Sequence, residues 1–187
     1  MIPPEFSRPV QIDTLGPAPR DLSVEANEDE RASIARRFGL QAVARLSADA
    51  ALTRSGDTVR AKGKLAAAVT QSCVVTGAPV EAEVAETFHI EFRPQPEIGG
   101  SEEEIELSEN ELDVVFYGSG AVDLGEAVAE SLSLALDPYP RCPDADATLA
   151  QVGVHKEGEE PRTGPLAGLK DLLDRNLPRN GEGDRDA

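Results

Sequence analysis

Two cysteines and two histidines hold most of the metal-binding and nucleophilic chemistry available to these 187 residues. Cys73 stands in "QSCVVTGAPVE", where Thr76 takes the place of a second cysteine in a metal knuckle. Cys142 follows "DPYPR", His89 lies in "ETFHIEF", and His155 lies in "VHKEGEEP". A structural zinc site takes four such ligands, so all four side chains would have to converge. His155 sits in a stretch that reads as flexible, and His89 alternates onto the strand face opposite Cys73. No metal and no cofactor are therefore expected. The same face argument removes a Cys–His nucleophile pair, because the base must reach the thiol. Cys73 then reads as a small core residue beside a turn. A Cys73–Cys142 disulfide is geometrically possible, but such bonds are rare in the cytosol.

The basic residues form one further constellation. Arg60, Lys62 and Lys64 alternate along "TVRAKGKLAAAV", and Arg36, Arg37, Arg45 and Arg54 come from nearby sequence. Arg36, Arg37, Arg60, Lys62 and Lys64 are the candidates for phosphate contact with RNA. The competing reading is a solvated strand face whose cations pair with Glu81, Glu83 and Glu91 on the next strand. "GSG" at 118–120 lacks the remaining glycine of a dinucleotide fingerprint and reads as a tight turn. The sequence shows no catalytic triad and no paired-carboxylate motif, so no catalytic residue is assigned.

Charge narrows the function classes. The net charge is −17, and residues 1–93 hold 11 Lys and Arg against 13 Asp and Glu. Residues 94–187 hold 7 against 22. Broad binding of phosphate backbones needs an excess of cations, which this chain lacks; a local basic patch on the front half is the nucleic-acid contact left open. The acidic back half suits a basic protein partner instead. Aromatic residues are few and Trp is absent, which leaves little for base stacking. No apolar run approaches the roughly 20 residues of a membrane span, and the N-terminus lacks the pattern of a signal peptide. The expected compartment is the cytoplasm.

Element signals position these residues. "EFSRPVQIDTL" reads as a strand with Phe6, Val10 and Ile12 on one face. "NEDERASIARRFGL" reads as a helix capped by Asn27 and ended by Gly39, with Ile34 and Phe38 as its apolar stripe. Around a turn at "RSGD" the period becomes two. Val59, Ala61, Gly63, Leu65, Ala67, Val69, Cys73 and Val75 share the inner face, broken only by Gln71. "TGAP" turns the chain back into a strand with Phe88, Ile90 and Phe92 inward and His89 and Glu91 outward. Residues 94–110 read as a mobile acidic loop, and "ELDVVFYGSG" as a strand with Leu112, Val114 and Phe116 inward. "DLGEAVAESLSLALDPYPRCP" is the strongest helix, with Asp123 and Glu126 placed as a capping box and a Leu124, Val128, Leu132, Ala135 stripe. The expectation is an α+β domain over 1–150, with a curved antiparallel, partly barrel-like sheet and two main helices. An acidic tail over 151–187 follows, disordered apart from a short helix near 165–174.

The order of "PEFSRPV", "CVVTGAPVEAEVAETFHIEFRP", an acidic loop, "VDLGEAVAESLSLALDPYPRCP" and "PLAGLKDL" resembles the YceD family, and most closely its alphaproteobacterial branch. The resemblance covers residues 4 to 174. Its motif positions here are Cys73, Thr76, Gly77, Asp123, Leu124, Glu130, Pro138 and Cys142. Many members carry Cys-x-x-Cys at the first turn and more cysteines after the helix, which makes a metal site plausible in them. This chain has Thr76 at the second position and no cysteine after Cys142, so a four-thiolate site cannot close. If the family positions are retained, Cys73 and Cys142 lie near each other. The resemblance implies a non-enzymatic ribosome-assembly factor supporting accumulation or processing of large-subunit (23S) rRNA. Its implied partner is that rRNA or a pre-ribosomal particle, with a basic ribosomal protein as the alternative and no membrane. For Gly77 and Asp123 the expected roles are structural, a turn and a helix cap.

Overall fold

A computed structural model of the chain describes residues 4–95, 113–118 and 120–154. The chain divides into two compact units, Met1–Ala145 and Asp146–Ala187. Among the described residues the order is β1 (Pro9–Gln11), β2 (Arg20–Glu25), α1 (Glu28–Phe38), β3 (Ala42–Ser55), β4 (Thr58–Ser72), β5 (Pro79–Pro94), β6 (Asp113–Tyr117), β7 (Ala121–Asp123), α2 (Leu124–Ala135) and α3 (Ala145–Gln151). A 3-10 turn, Ile12–Thr14, follows β1. The fold is α+β with a mostly antiparallel sheet.

The long period-two run becomes the antiparallel meander β3–β4–β5. Gly56 at φ 62° and Gly77 at φ 74° make its two turns, in a conformation that side chains with a Cβ resist. β2 adds to β3 antiparallel and β6 adds to β5 parallel, which gives the order β2-β3-β4-β5-β6. Parallel neighbours need a connection of a dozen or more residues, and the stretch between Pro94 and Asp113 provides it. The expected barrel-like closure is not found: the sheet is open, with β2 and β6 as its edges. Both edge strands are far shorter than the strands between them, and β1 pairs with β7 in a separate ribbon, so among the described residues no strand is left to bridge the edges.

Other expectations are also corrected. The N-terminal strand is only Pro9–Gln11, because the Leu15 amide bonds back to the Ile12 carbonyl and closes the 3-10 turn. Phe6 and Ile12 are nonetheless buried. On β6 the inward residues are Val115 and Tyr117. Val115 pairs with Phe92 and lies on its face, whereas Val114 pairs with Glu91 and Phe116 with Arg93. Phe116 is 55% exposed. Every residue of "VVFY" is apolar, so the register on β5 selects the face and hydrophobicity does not. Leu112, most of the acidic loop, the expected helix near 165–174 and the expected tail beyond residue 154 lie outside the described residues.

The core lies where α1 and α2 meet the inner face of the sheet. Leu46, Leu52, Leu65, Phe92, Ile34, Leu124 and Leu132 are all fully buried there, each worth about 1.5–3 kcal/mol. α1 has the full capping box, Asn27 with Glu30, and leaves through Gly39 in the left-handed region. In α2, Asp123 accepts from the Glu126 amide, but the Glu126 carboxylate turns to Arg37, so half of the expected box forms. Two glycines mark close approaches. A Cβ on Gly125 would sit 2.5 Å from the Phe6 carbonyl oxygen, where α2 crosses the N-terminal segment. A Cβ on Gly63 would sit 2.5 Å from both the Asp49 carbonyl oxygen and the tip of the Phe88 ring. Among the described residues no helix is long and apolar enough to cross a membrane.

Candidate functional site

Alternation on β4 places Arg60, Lys62 and Lys64 together on the outer face, about 6.8 Å apart along the strand. Their neighbours differ. Arg60 faces Glu91 across β5, Lys62 faces His89, and Lys64 faces Thr87 on one side and Asp49 on the other. Glu91 was expected to be exposed but is buried, because two guanidiniums cover it. Arg93 Nε donates to one of its oxygens at 2.6 Å and Arg60 Nε to the other at 2.8 Å. Arg93 and then Arg60 hold its carboxyl below the usual carboxylate range, against the opposing effect of burial. The triad keeps one net positive charge. Among the described residues neither Lys62 nor Lys64 makes an ion pair, so the pairing expected across the hairpin reaches only Arg60 in this group.

Arg36 and Arg37 are not brought to this face. They lie on α1, which packs through Ile34 and Ala35 into the core on the inner side. Arg37 ties Glu5 at 3.0 Å and Glu126 at 2.8 Å, which joins the N-terminal segment and α1 to α2. Arg36 is exposed and donates to Ser33 Oγ. Arg45 pairs with Glu83 at 3.0 Å, both exposed, and Arg54 caps the Ile12 carbonyl and reaches Asp13. Arg93, which extends the outer strip, has a signal that was readable: it follows Glu91 at the two-residue spacing of β5.

The family-motif positions converge elsewhere. The turn after β4 is closed by Cys73 N to the Ala78 carbonyl and Gly77 N to the Cys73 carbonyl, both 2.8 Å. The segment after α2 runs alongside it, with Val74 N donating to the Pro140 carbonyl at 2.9 Å. Gln71, the polar break in the inner face, is buried and donates to the Asp137 carbonyl at 2.9 Å. Cys73 and Cys142 are adjacent and both free, the Cys142 amide lying 3.3 Å from Cys73 Sγ. Thr76 Oγ1 is 3.2 Å from Cys142 Sγ. The Cys142 amide, then the Thr76 hydroxyl, and then the Thr76 and Val75 amides lower the Cys73 thiol to about 6, against a smaller effect of burial. Cys73 is 3% exposed and Cys142 half-buried. Pro138 lines a cleft of about 570 Å³ at this junction with Phe38, Leu40, Val74 and Leu134. Asp123, which also accepts from the Arg8 amide at 2.7 Å, caps α2, and Leu124 is fully buried. Glu130 on α2 is exposed as a whole, but partial desolvation of its carboxyl, and then nearby Glu126, raises its pKa. His89 is exposed on the outer face, away from both thiols, and His155 lies outside the described residues. Among the described residues no group of three or more His, Cys, Asp or Glu is placed to hold a metal ion.

Compared with known families, residues 61–173 match the model of the family described as large ribosomal RNA subunit accumulation protein YceD. This covers more than half of the chain. No curated protein and no solved structure matches it.

Proposed function

The chain belongs to the YceD family, and from that premise we propose that it is a non-enzymatic ribosome-assembly factor in the cytoplasm. It supports accumulation of large-subunit rRNA by binding that rRNA or a pre-ribosomal particle through the outer face of the sheet. The observation that supports direct RNA contact is the Arg60, Lys62, Lys64 strip. Two of its three cations have no carboxylate partner among the described residues, although the protein is acidic overall. Arg93 adds the spare charge of the Glu91 triad. Arg36 lies on a different face and is left out of the proposed contact, and Arg37 serves chiefly to hold α1 to α2.

The test is a titration of the purified protein against 23S rRNA fragments across a salt series. Neutralising about three to four phosphates of a single strand gives a log–log slope of about −2 to −3. Lys62→Gln with Lys64→Gln should weaken binding and reduce that slope by about 1.4. The acidic composition of residues 94–187 favours a second reading, an escort of a basic ribosomal protein. Binding to basic large-subunit proteins alone, unchanged in the lysine variant, would replace the first reading with the second.

A further inference from the structure

The cysteine junction holds two free thiols that the proposed RNA contact does not use. They come from elements distant in sequence, the end of β4 and the segment after α2. The Cys142 nitrogen is 3.3 Å from Cys73 Sγ, so the Cys142 Cα lies within about 4.8 Å of that sulfur once the ~1.46 Å N–Cα bond is added. The hydroxyl of Thr76, in the same turn as Cys73, lies 3.2 Å from Cys142 Sγ. Rotation about the Cys142 Cα–Cβ bond moves its sulfur without moving the backbone. Their exposure differs: Cys73 is buried, whereas Cys142 meets solvent.

We propose that Cys142 and Cys73 form a thiol–disulfide exchange site for low-molecular-weight disulfides, Cys142 being the entry thiol and Cys73 the resolving thiol. The Cys142 thiolate attacks one sulfur of the small disulfide and forms a mixed disulfide, expelling the first small thiolate. Cys73, as thiolate, then attacks the Cys142 sulfur and expels the second. One protein disulfide forms and one small disulfide is reduced to two small thiols; the Cys142 proton ends on one of them, and because Cys73 reacts as a thiolate the other takes its proton from water. The hydrogen bonds that lower the Cys73 thiol to about 6 keep it mostly ionised at neutral pH, which favours the second step. The product bond ties the turn after β4 to the segment after α2 and closes a loop of about 70 residues, so it stabilises the folded state.

The test uses the full-length reduced protein in mixtures of reduced and oxidised glutathione, followed by acid quench, alkylation and peptide mapping. The expected result is a peptide pair joined through positions 73 and 142, no lasting glutathione on Cys142, and a thermal midpoint raised by about 5 °C or more. Cys73→Ser should trap glutathione on Cys142. Thr76→Val should slow the conversion of the mixed disulfide several-fold. If Cys73→Ser does not fold, Cys142→Ser replaces it and should take up no glutathione at Cys73 in the native state. A lasting adduct on Cys142 in the unmodified sequence, or two thiols that stay reduced in oxidised glutathione alone, would overturn the proposal. None of these readouts depends on RNA binding.

Discussion

Glu91→Gln tests the physical basis of the outer strip. The carboxylate side chain is only 7% exposed and accepts from Arg93 at 2.6 Å and Arg60 at 2.8 Å. Removing one partner of a fully buried pair costs about 3–5 kcal/mol. Here the Arg60 and Arg93 side chains are 50% and 38% exposed, so water re-solvates much of what the carboxylate releases. The glutamine keeps one acceptor for one of two charge-assisted bonds, which brings the expected loss to about 2 kcal/mol. Arg60→Ala leaves Arg93 in place and should cost only about 0.5–1 kcal/mol. Urea unfolding reads both values, with midpoint shifts converted through a slope of about 1–3 kcal/mol per molar. The sign with pH follows from the depressed carboxyl. Its contribution is complete above the unfolded value of about 4.3 and is lost as pH falls through the lower folded value. The unmodified sequence and the glutamine variant should therefore differ at neutral pH and converge in acid. A variant within about 0.5 kcal/mol of the unmodified protein at neutral pH would refute the reasoning, as would a difference that persists in acid.

Three further outcomes are expected. Gly63→Ala pushes a Cβ against the Asp49 carbonyl, which belongs to strand backbone and cannot swing aside, so chemical unfolding should show a loss of about 1–3 kcal/mol. Asp123→Ala removes the cap of α2 together with the acceptor for the Arg8 amide, and should cost about 2 kcal/mol by the same assay. Glu130→Gln should stabilise slightly at neutral pH, because a carboxyl with a raised folded pKa favours the folded state in its neutral form. That gain should vanish at acid pH, below the unfolded carboxyl value, and a variant that is less stable at neutral pH would contradict it.

The meander was legible because period-two alternation over "TVRAKGKLAAAVTQS" leaves one face for the core, and both helices announced their caps. What escaped was set by partners rather than by pattern. β2 is short and shows only Leu22 and Val24 as alternating apolar residues, so its place on β3 is a tertiary fact. The inward face of β6 was undecidable from four apolar letters. Glu91 carried the charge of a surface residue, and only the arrival of Arg60 and Arg93 from two strand positions makes its burial tolerable. α3 lacks an apolar stripe long enough to signal itself. The site was legible in the same uneven way. Lys62 and Lys64 followed from alternation, and the proximity of Cys73 to Cys142 followed from the family resemblance. Arg36 and Arg37 were grouped with the strip by closeness in sequence, which the fold does not preserve.

The motif positions and the strip divide the molecule between folding and contact. Gly77, Asp123, Leu124 and the backbone around Val74 and Pro140 all have partners within the chain, so substituting them tests the fold before it tests any ligand. Arg37 belongs to that group, because its guanidinium is shared between Glu5 and Glu126. Among the described residues Lys62 and Lys64 make no ion pair, and both fall within the stretch that matches the family. If the family's link to rRNA works through direct contact, charge reversal at Lys62 and Lys64 should abolish RNA binding while leaving the unfolding midpoint nearly unchanged. Reversal at Arg36, exposed on α1 and outside the matched stretch, serves as the control and should change neither. Equal losses of binding from both reversals would mean that the protein responds to its net charge alone. The outer face of the sheet would then have no special role.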